Sequence, residues 1–249
     1  YFFNSFGTNI TLIEAEENIL PHEDKEVSQW VEKVFKKKKI NILTGTLADK
    51  IDDEKILISV GVEGNSQGMG LKEIGINFSA NHHIAVDSNG KTNIGNIYAV
   101  GDVIGSPWLA HVSAAEGLYA VEHLCGLNPK EIDYNSVPAC TYSKPEVASI
   151  GLTEQQLVDD AIEFKVAKSF FIANGKAVAV GATDGFIKML VGKEGNILGA
   201  HIVGSNATEM ISELSVIKSN NLTVNSVLES VHPHPTFSEA IFETLLQLK

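Results

Sequence analysis

The chain has 249 residues, 44% of them hydrophobic, and a net charge of −12 carried by 31 acidic residues against 19 lysines, with no arginine. That length suits one large domain or two smaller ones, and the charge balance argues against a nucleic-acid partner, which needs clustered cations and the planar Arg fork. No apolar run approaches the ~20 residues that cross a bilayer, and YFFNSFGTN lacks the basic and apolar regions of a signal peptide, so the sequence reads as soluble with no membrane partner.

Residues 1–7 read as the tail of a helix. A strand over 8–14 (TNITLIE), a helix over 22–39 and strands over 40–46 (INILTGT) and 55–61 (KILISVG) follow, an alternation expected of a parallel α/β layer. The helix places Val27, Trp30, Val31, Val34 and Phe35 on one face, and the run Lys36 to Lys39 falls at its C-terminal end, where cations complement the helix dipole. Glu14 ends the first strand. In a dinucleotide fold an acid at the end of the second strand accepts hydrogen bonds from the adenosine ribose and repels the extra phosphate of NADP. An acid after a strand is more often just a solvated turn, and no G-x-G-x-x-G loop precedes Glu14.

The glycine-rich stretch GVEGNSQGMG (61–70) separates this piece from a second. There, strands over 82–87 and 96–102 flank an SNG turn, and a helix covers 113–124. The strand in NIYAVGDV stops at Gly101 and Asp102, which lets a ligand approach the backbone and offers a carboxylate to a polyol; a plain strand-terminal turn is the alternative. SPWLAH leads into the helix, so backbone N–H groups near Trp108 to His111 lie at the positive end of its dipole, suited to an electron-rich ring carbonyl. Cys125 and Cys140 have no second pair, which excludes a disulfide framework or a zinc cluster, and each reads as a small buried hydrophobe.

From about Val137 the pattern changes. EVASIGL, FKVAKSFFI, DGFIKMLV and NILGAHIVG read as strands, the last two joined as a hairpin across GKEG, and helices follow over NATEMISELSVIKS and TVNSVLES. Strands first and helices later predict an α+β domain with helices on one face of an antiparallel sheet.

The stretch VHPHPTFSEA (231–240) admits two readings. Thr236 and Glu239, before an apolar run, score as a capping box for a terminal helix. That leaves an imidazole just before a proline unexplained. A proton acceptor needs a fixed ring, and a carboxylate bonded to one ring nitrogen fixes the tautomer and raises the basicity of the other; Glu239 can hold His234 so. His232 has no comparable partner in the sequence and reads as exposed.

H-P-H-P-T-x-S-E-A, Y-A-V-G-D with the L-A-H helix start, and K-P-E-V-A-S-I-G-L-T-E, in that family's order, resemble the dihydrolipoamide dehydrogenases among the pyridine-nucleotide disulfide oxidoreductases. The resemblance covers nearly the whole chain and is most specific in its last two segments. It implies a flavoprotein oxidoreductase with a redox-active centre, passing electrons from dihydrolipoamide through a protein disulfide and FAD to NAD+. It implies that His234 takes the thiol proton and Glu239 orients it, with His234-Pro235 in the cis form. Asp102 then binds the flavin ribityl chain, Trp108, Leu109, Ala110 and His111 border its ring, and Glu14 and Gly61 serve NAD. The expected partners are a lipoyl-bearing acyltransferase of a 2-oxo acid dehydrogenase complex and a second copy of the chain, since the histidine serves the neighbouring subunit; the expected location is the cytoplasm, or the mitochondrial matrix in a eukaryote. The expected domains are 1–67, a partial Rossmann-like NAD domain; 68–136, a remnant of the FAD domain; and 137–249, an antiparallel-sheet dimerisation domain.

Four departures stand out. The family's cysteine pair, four residues apart, and both phosphate-binding glycine loops are absent, the link from Thr46 to Lys55 is shorter than the family's, and VGVEGN replaces an Arg-containing pattern. The chain therefore reads as a C-terminal portion that does not complete the redox cycle by itself. A non-catalytic dimerisation module and a glutathione-reductase-like enzyme are the alternatives; against the latter, Glu14, Glu16 and Glu17 oppose the phosphate of NADP.

Overall fold

The computed structural model describes residues 1–48, 51 and 54–249. It forms two compact units, Tyr1–Asp52 with Asn135–Lys249, and Asp53–Tyr134.

The chain opens with a short helix, α1 (Phe2–Ser5), then β1 (Thr11–Ile13), α2 (Lys25–Lys37) and β2 (Asn41–Leu43). β1 and β2 pair in parallel, Thr11 opposite Asn41, which requires the crossover that α2 supplies. This is the expected α/β piece. α2 starts where Asp24 accepts the Glu26 N–H at 3.0 Å, ends with Lys36 and Lys37 in its last turn, and buries Val27, Val31, Val34 and Phe35. Part of the Thr46–Lys55 link lies outside the described residues.

The unit Asp53–Tyr134 corrects three expectations. Among its described residues no strand forms. Among the described residues the stretch 55–61 pairs with no strand, so its apolar alternation goes uncovered and Ile56, Leu57, Ile58 and Val60 are exposed. The segments expected at 82–87 and 96–102 make only single bridges, Phe78 with Ile84 and Lys91 with Tyr98. The turn between them is present: Asp87 accepts the N–H groups of Asn89 and Lys91 at 2.9 Å each. The helix α3 (Ala110–Leu124) begins three residues earlier than the pattern suggested. Cys125, at its C-terminal end, is exposed rather than the buried hydrophobe expected, whereas Cys140 is half-buried and packs against the sheet's core.

The α+β part contains β3 (Ala139–Thr141), β4 (Glu146–Gly151), α4 (Glu154–Asp159), β5 (Phe164–Phe170), α5 (Gly175–Ala179), β6 (Phe186–Gly192), β7 (Ile197–Gly204), α6 (Ala207–Ser219), α7 (Val224–Leu228) and α8 (Glu239–Leu246). The five strands form an antiparallel sheet in the order β3-β4-β7-β6-β5, with the β6–β7 hairpin as expected. β3, α4 and α5 were not expected; they are short, and α4 rests on a reciprocal cap between Thr153 and Gln156.

Every residue of β6 is buried because both faces of the sheet are covered. Ile187, Met189 and Val191 share a core with Ile211 and Leu214 of α6 and Ile241 and Leu245 of α8. Phe186, on the opposite face, joins Val147, Val203 and the Val27, Val31 and Phe35 stripe of α2. Each such side chain contributes about 1.5–3 kcal/mol. The long C-terminal helices thus take one face, and α2 closes the other.

Candidate functional site

The turn 231–236 bridges α7 and α8. His234 Nδ1 lies 2.8 Å from Glu239 Oε1, and the imidazole side chain is 77% exposed. A carboxylate only accepts, so Nδ1 carries a proton toward Glu239, and in the neutral ring Nε2 is then the nitrogen with a lone pair. The His234-Pro235 bond is cis, as the resemblance implied.

Glu239 also accepts the Thr236 N–H through Oε2 at 2.8 Å. This is half of a capping box. The reciprocal half is missing: the Thr236 hydroxyl donates to Pro233 O at 2.8 Å, and no side chain caps α8, whose N-cap is Ser238. The two readings of the sequence therefore meet in one carboxylate, which braces the turn with one oxygen and holds the imidazole with the other. The Thr236 N–H, and after it the His234 ring, keep the Glu239 carboxyl below the usual carboxylate range, so it stays an anion when its neighbour takes up a proton.

His232 is not exposed. Its side chain is 10% accessible and its Nε2 donates to Glu213 Oε1 of α6 at 2.8 Å. Glu213 lies 19 residues earlier, beyond any local spacing rule, which is why sequence reading missed the pair. Asn174, buried at the start of α5, donates from Nδ2 to Thr236 O at 3.1 Å and was likewise not foreseen.

In the unit Asp53–Tyr134, Gly101 and Asp102 sit in a 3-10 turn, Gly101–Ile104, packed against the first turns of α3. Gly101 has φ +79°, and a Cβ there would lie 2.8 Å from Ser113 Oγ, so the turn needs glycine twice over, for its backbone and for its closeness to α3. Asp102 is exposed. Behind it, buried Glu116 accepts the Gly101 N–H at 2.7 Å and the Tyr134 hydroxyl at 2.8 Å, one with each oxygen. Burial, then the bond to Glu116, pushes the Tyr134 pKa up to about 12. The sequence singled out neither residue.

Trp108, Leu109, Ala110 and His111 form the entry to α3, as expected, and no side chain caps that helix. Trp108 is half-exposed and stacks on His83 at 6.3 Å. Of the expected donors, the Leu109 N–H is taken up within the turn by Pro107 O at 3.0 Å.

Glu14 follows β1, its N–H bonded to Leu43 O at 2.9 Å; Oε1 accepts the Glu16 N–H at 3.0 Å. Oε1 thus closes a local turn onto Glu16, and the second carboxylate oxygen is not used by that bond. Gly61 is exposed with φ +118° and open space where a Cβ would stand. Among the described residues no cluster of His, Cys, Asp or Glu could hold a metal ion, and no helix is long and apolar enough to cross a membrane.

A parallel βαβ piece, an antiparallel sheet backed by long helices and a carboxylate-held histidine in the turn before the last helix point to one class, the nucleotide-linked disulfide oxidoreductases. Comparison with known proteins agrees. Residues 1–117 match the family model described as pyridine nucleotide-disulphide oxidoreductase, and residues 137–245 match that family's dimerisation domain. The chain is 41% identical to the dihydrolipoyl dehydrogenase of Bacillus subtilis, covering 98% of this chain and 56% of that protein, and 38% identical to the one of Zymomonas mobilis, covering 98% and 57%. In fold it is similar to LpdA from Mycobacterium tuberculosis, with a TM-score of 0.91 at 23% identity over 99% of this chain and 58% of that one. The flavoprotein disulfide reductase RclA from Escherichia coli gives 0.91 at 22% identity over 99% and 61%. The chain belongs to the pyridine nucleotide-disulphide oxidoreductase family, and it spans somewhat over half the length of the curated relatives it matches.

Proposed function

We propose that the whole protein containing this chain is a dihydrolipoyl dehydrogenase, oxidising protein-bound dihydrolipoamide to lipoamide with FAD and NAD+ as the third component of a 2-oxo acid dehydrogenase complex. The observation that carries this reading is the exposed His234 ring bonded through Nδ1 to Glu239. His234 Nε2 takes the proton of a substrate thiol, and the Glu239 carboxylate stabilises the imidazolium that forms; such assistance is typically worth ~10²- to 10⁴-fold. In this reading the homodimer brings the histidine of one subunit to the disulfide of the other. A lipoyl-bearing acyltransferase presents the substrate, and the cytoplasm is the location in bacteria.

FAD fits the residues present. Asp102 offers an exposed carboxylate to the ribityl chain from a turn that Glu116 holds in place, and Trp108, Leu109, Ala110 and His111, at a helix start without a side-chain cap, border the ring. When bound, the flavin supplies two-electron exchange between thiols and nicotinamide. Glu14 serves the adenosine ribose of NAD and, with Glu16 and Glu17, opposes the extra phosphate of NADP; Gly61 lets the dinucleotide approach the backbone. The domains proposed are residues 1–67 for NAD, 68–136 for part of the FAD domain and 137–249 for dimerisation.

The test is His234→Gln in the whole protein, followed by NAD+ reduction with dihydrolipoamide. A fall of about 10²-fold or more in kcat with flavin content unchanged supports the proposal; an unchanged kcat overturns it.

A further inference from the structure

The two histidines of the turn, two residues apart, meet opposite environments, one side chain 10% exposed and the other 77%. Among the described residues, no backbone group of 231–236 bonds to another backbone group. Side chains hold the turn instead. On its C-terminal side Thr236 is tied by Glu239, by Asn174 and by its own hydroxyl to Pro233 O. On its N-terminal side Val231 is 98% exposed, and the tie to the body of the domain is His232, which donates to Glu213 of α6 at 2.8 Å and lies with its ring 5.7 Å from that of Phe242 on α8.

A half-buried histidine beside a phenylalanine is most often simple packing, but packing alone does not require the carboxylate partner that Glu213 supplies, and the pair stands two residues from an imidazole with, among the described residues, no other backbone support on that side. We propose that His232 is a positioning residue for His234. By anchoring the chain to α6, the His232–Glu213 pair sets the place from which His234 reaches out, so that Nδ1 meets Glu239 while Nε2 faces the substrate. Reactions of this kind are sensitive to geometry: a displacement of about 1 Å can cost about 10²-fold. The inference rests on the acid–base reading of His234.

The experiment uses the whole flavin-loaded protein with His232→Ala, Glu213→Ala, His232→Gln, His234→Gln and the double variant His232→Ala with His234→Gln. Two reactions are compared: NAD+ reduction by dihydrolipoamide, and NADH oxidation by ferricyanide, which takes no proton from a substrate thiol. The expected result is a loss of about 10- to 100-fold in the thiol-linked kcat for His232→Ala and Glu213→Ala, with the ferricyanide rate within about twofold of the parent's. His232→Gln keeps an N–H donor for Glu213 and restores much of the rate, and the double variant is no slower than His234→Gln alone. If both alanine variants keep the thiol-linked rate while His234→Gln loses it, the positioning role is wrong and the acid–base reading stands. If both reactions fall together, His232 is merely structural and the proposal is overturned. If His234→Gln is as fast as the parent, the acid–base reading fails first. Should His232→Ala not fold, Glu213→Ala, at a side chain 33% exposed, decides alone.

Discussion

Replacing Lys188 with methionine probes the buried ion cluster that joins α2 to the sheet. Lys188 Nζ lies 3.0 Å from both Asp24 carboxylate oxygens, 2.9 Å from Glu26 Oε1 and 2.5 Å from Glu154 Oε2. Burial pulls the Lys188 pKa down, yet the bonds to Glu154, Glu26 and Asp24 hold it above the ordinary lysine value, so the ammonium stays charged. The cost of removing it is set by which carboxylates can escape. Glu26 and Glu154 are 41% and 40% exposed and can turn to water, so each gives up about 0–1 kcal/mol. Asp24 is 2% exposed and cannot. A carboxylate left buried without its cation costs about 3–5 kcal/mol, softened by the N–H bonds Asp24 keeps from Glu26 at 3.0 Å and Glu154 at 3.3 Å. We therefore expect Lys188→Met to lose about 3 kcal/mol, a large share of the roughly 5–15 kcal/mol typical of a domain. Adding Asp24→Asn should return part of that loss by removing the stranded charge. Urea titrations of the chain measure both. A loss below about 1 kcal/mol, or a double variant less stable than Lys188→Met, refutes the reasoning.

Burial pushes the His201 pKa below the ordinary imidazole value despite neighbouring Asp24 and the bond from Nε2 to Leu152 O at 3.0 Å. The unfolded chain thus binds the extra proton first, so stability is full above pH ~6.5 and declines as pH falls toward the folded-state pKa. Urea titrations at pH 7 and pH 5.5 should show this decline flattened in His201→Gln; an equal decline in both chains contradicts it. Glu116→Gln removes the charge beside Tyr134 and leaves one amide oxygen to accept from both Gly101 and Tyr134, so an ultraviolet pH titration should show a tyrosine that ionises near 12 in the parent moving toward 10. An unmoved titration means that burial alone sets it.

What could be read in advance divides by the range of the interaction. The hairpin across residues 192–195 and α6 are set by turn residues and periodicity within a dozen positions, and both appear where the pattern placed them. The His234–Glu239 pair, five residues apart, was legible for the same reason. Apolar alternation in 55–61, by contrast, states a demand for a neighbouring strand and says nothing of whether one is there, and Leu57 and Val60 stand exposed. The Lys188–Asp24 pair joins residues 164 apart, Glu213 reaches His232 across 19, and Tyr134 meets Glu116 across 18. Each is a polar residue whose partner arrives only with tertiary packing, and each looks like an ordinary surface charge or ring in the sequence.

Nitrogen-15 NMR of the imidazoles decides whether the geometry at the turn is what acid–base chemistry requires. With His234 in its neutral form, the ring should carry its proton on Nδ1, toward Glu239, and show an unprotonated Nε2, and Glu239→Gln should erode that preference. A neutral ring protonated on Nε2, with Nδ1 bare and indifferent to Glu239→Gln, would contradict the account.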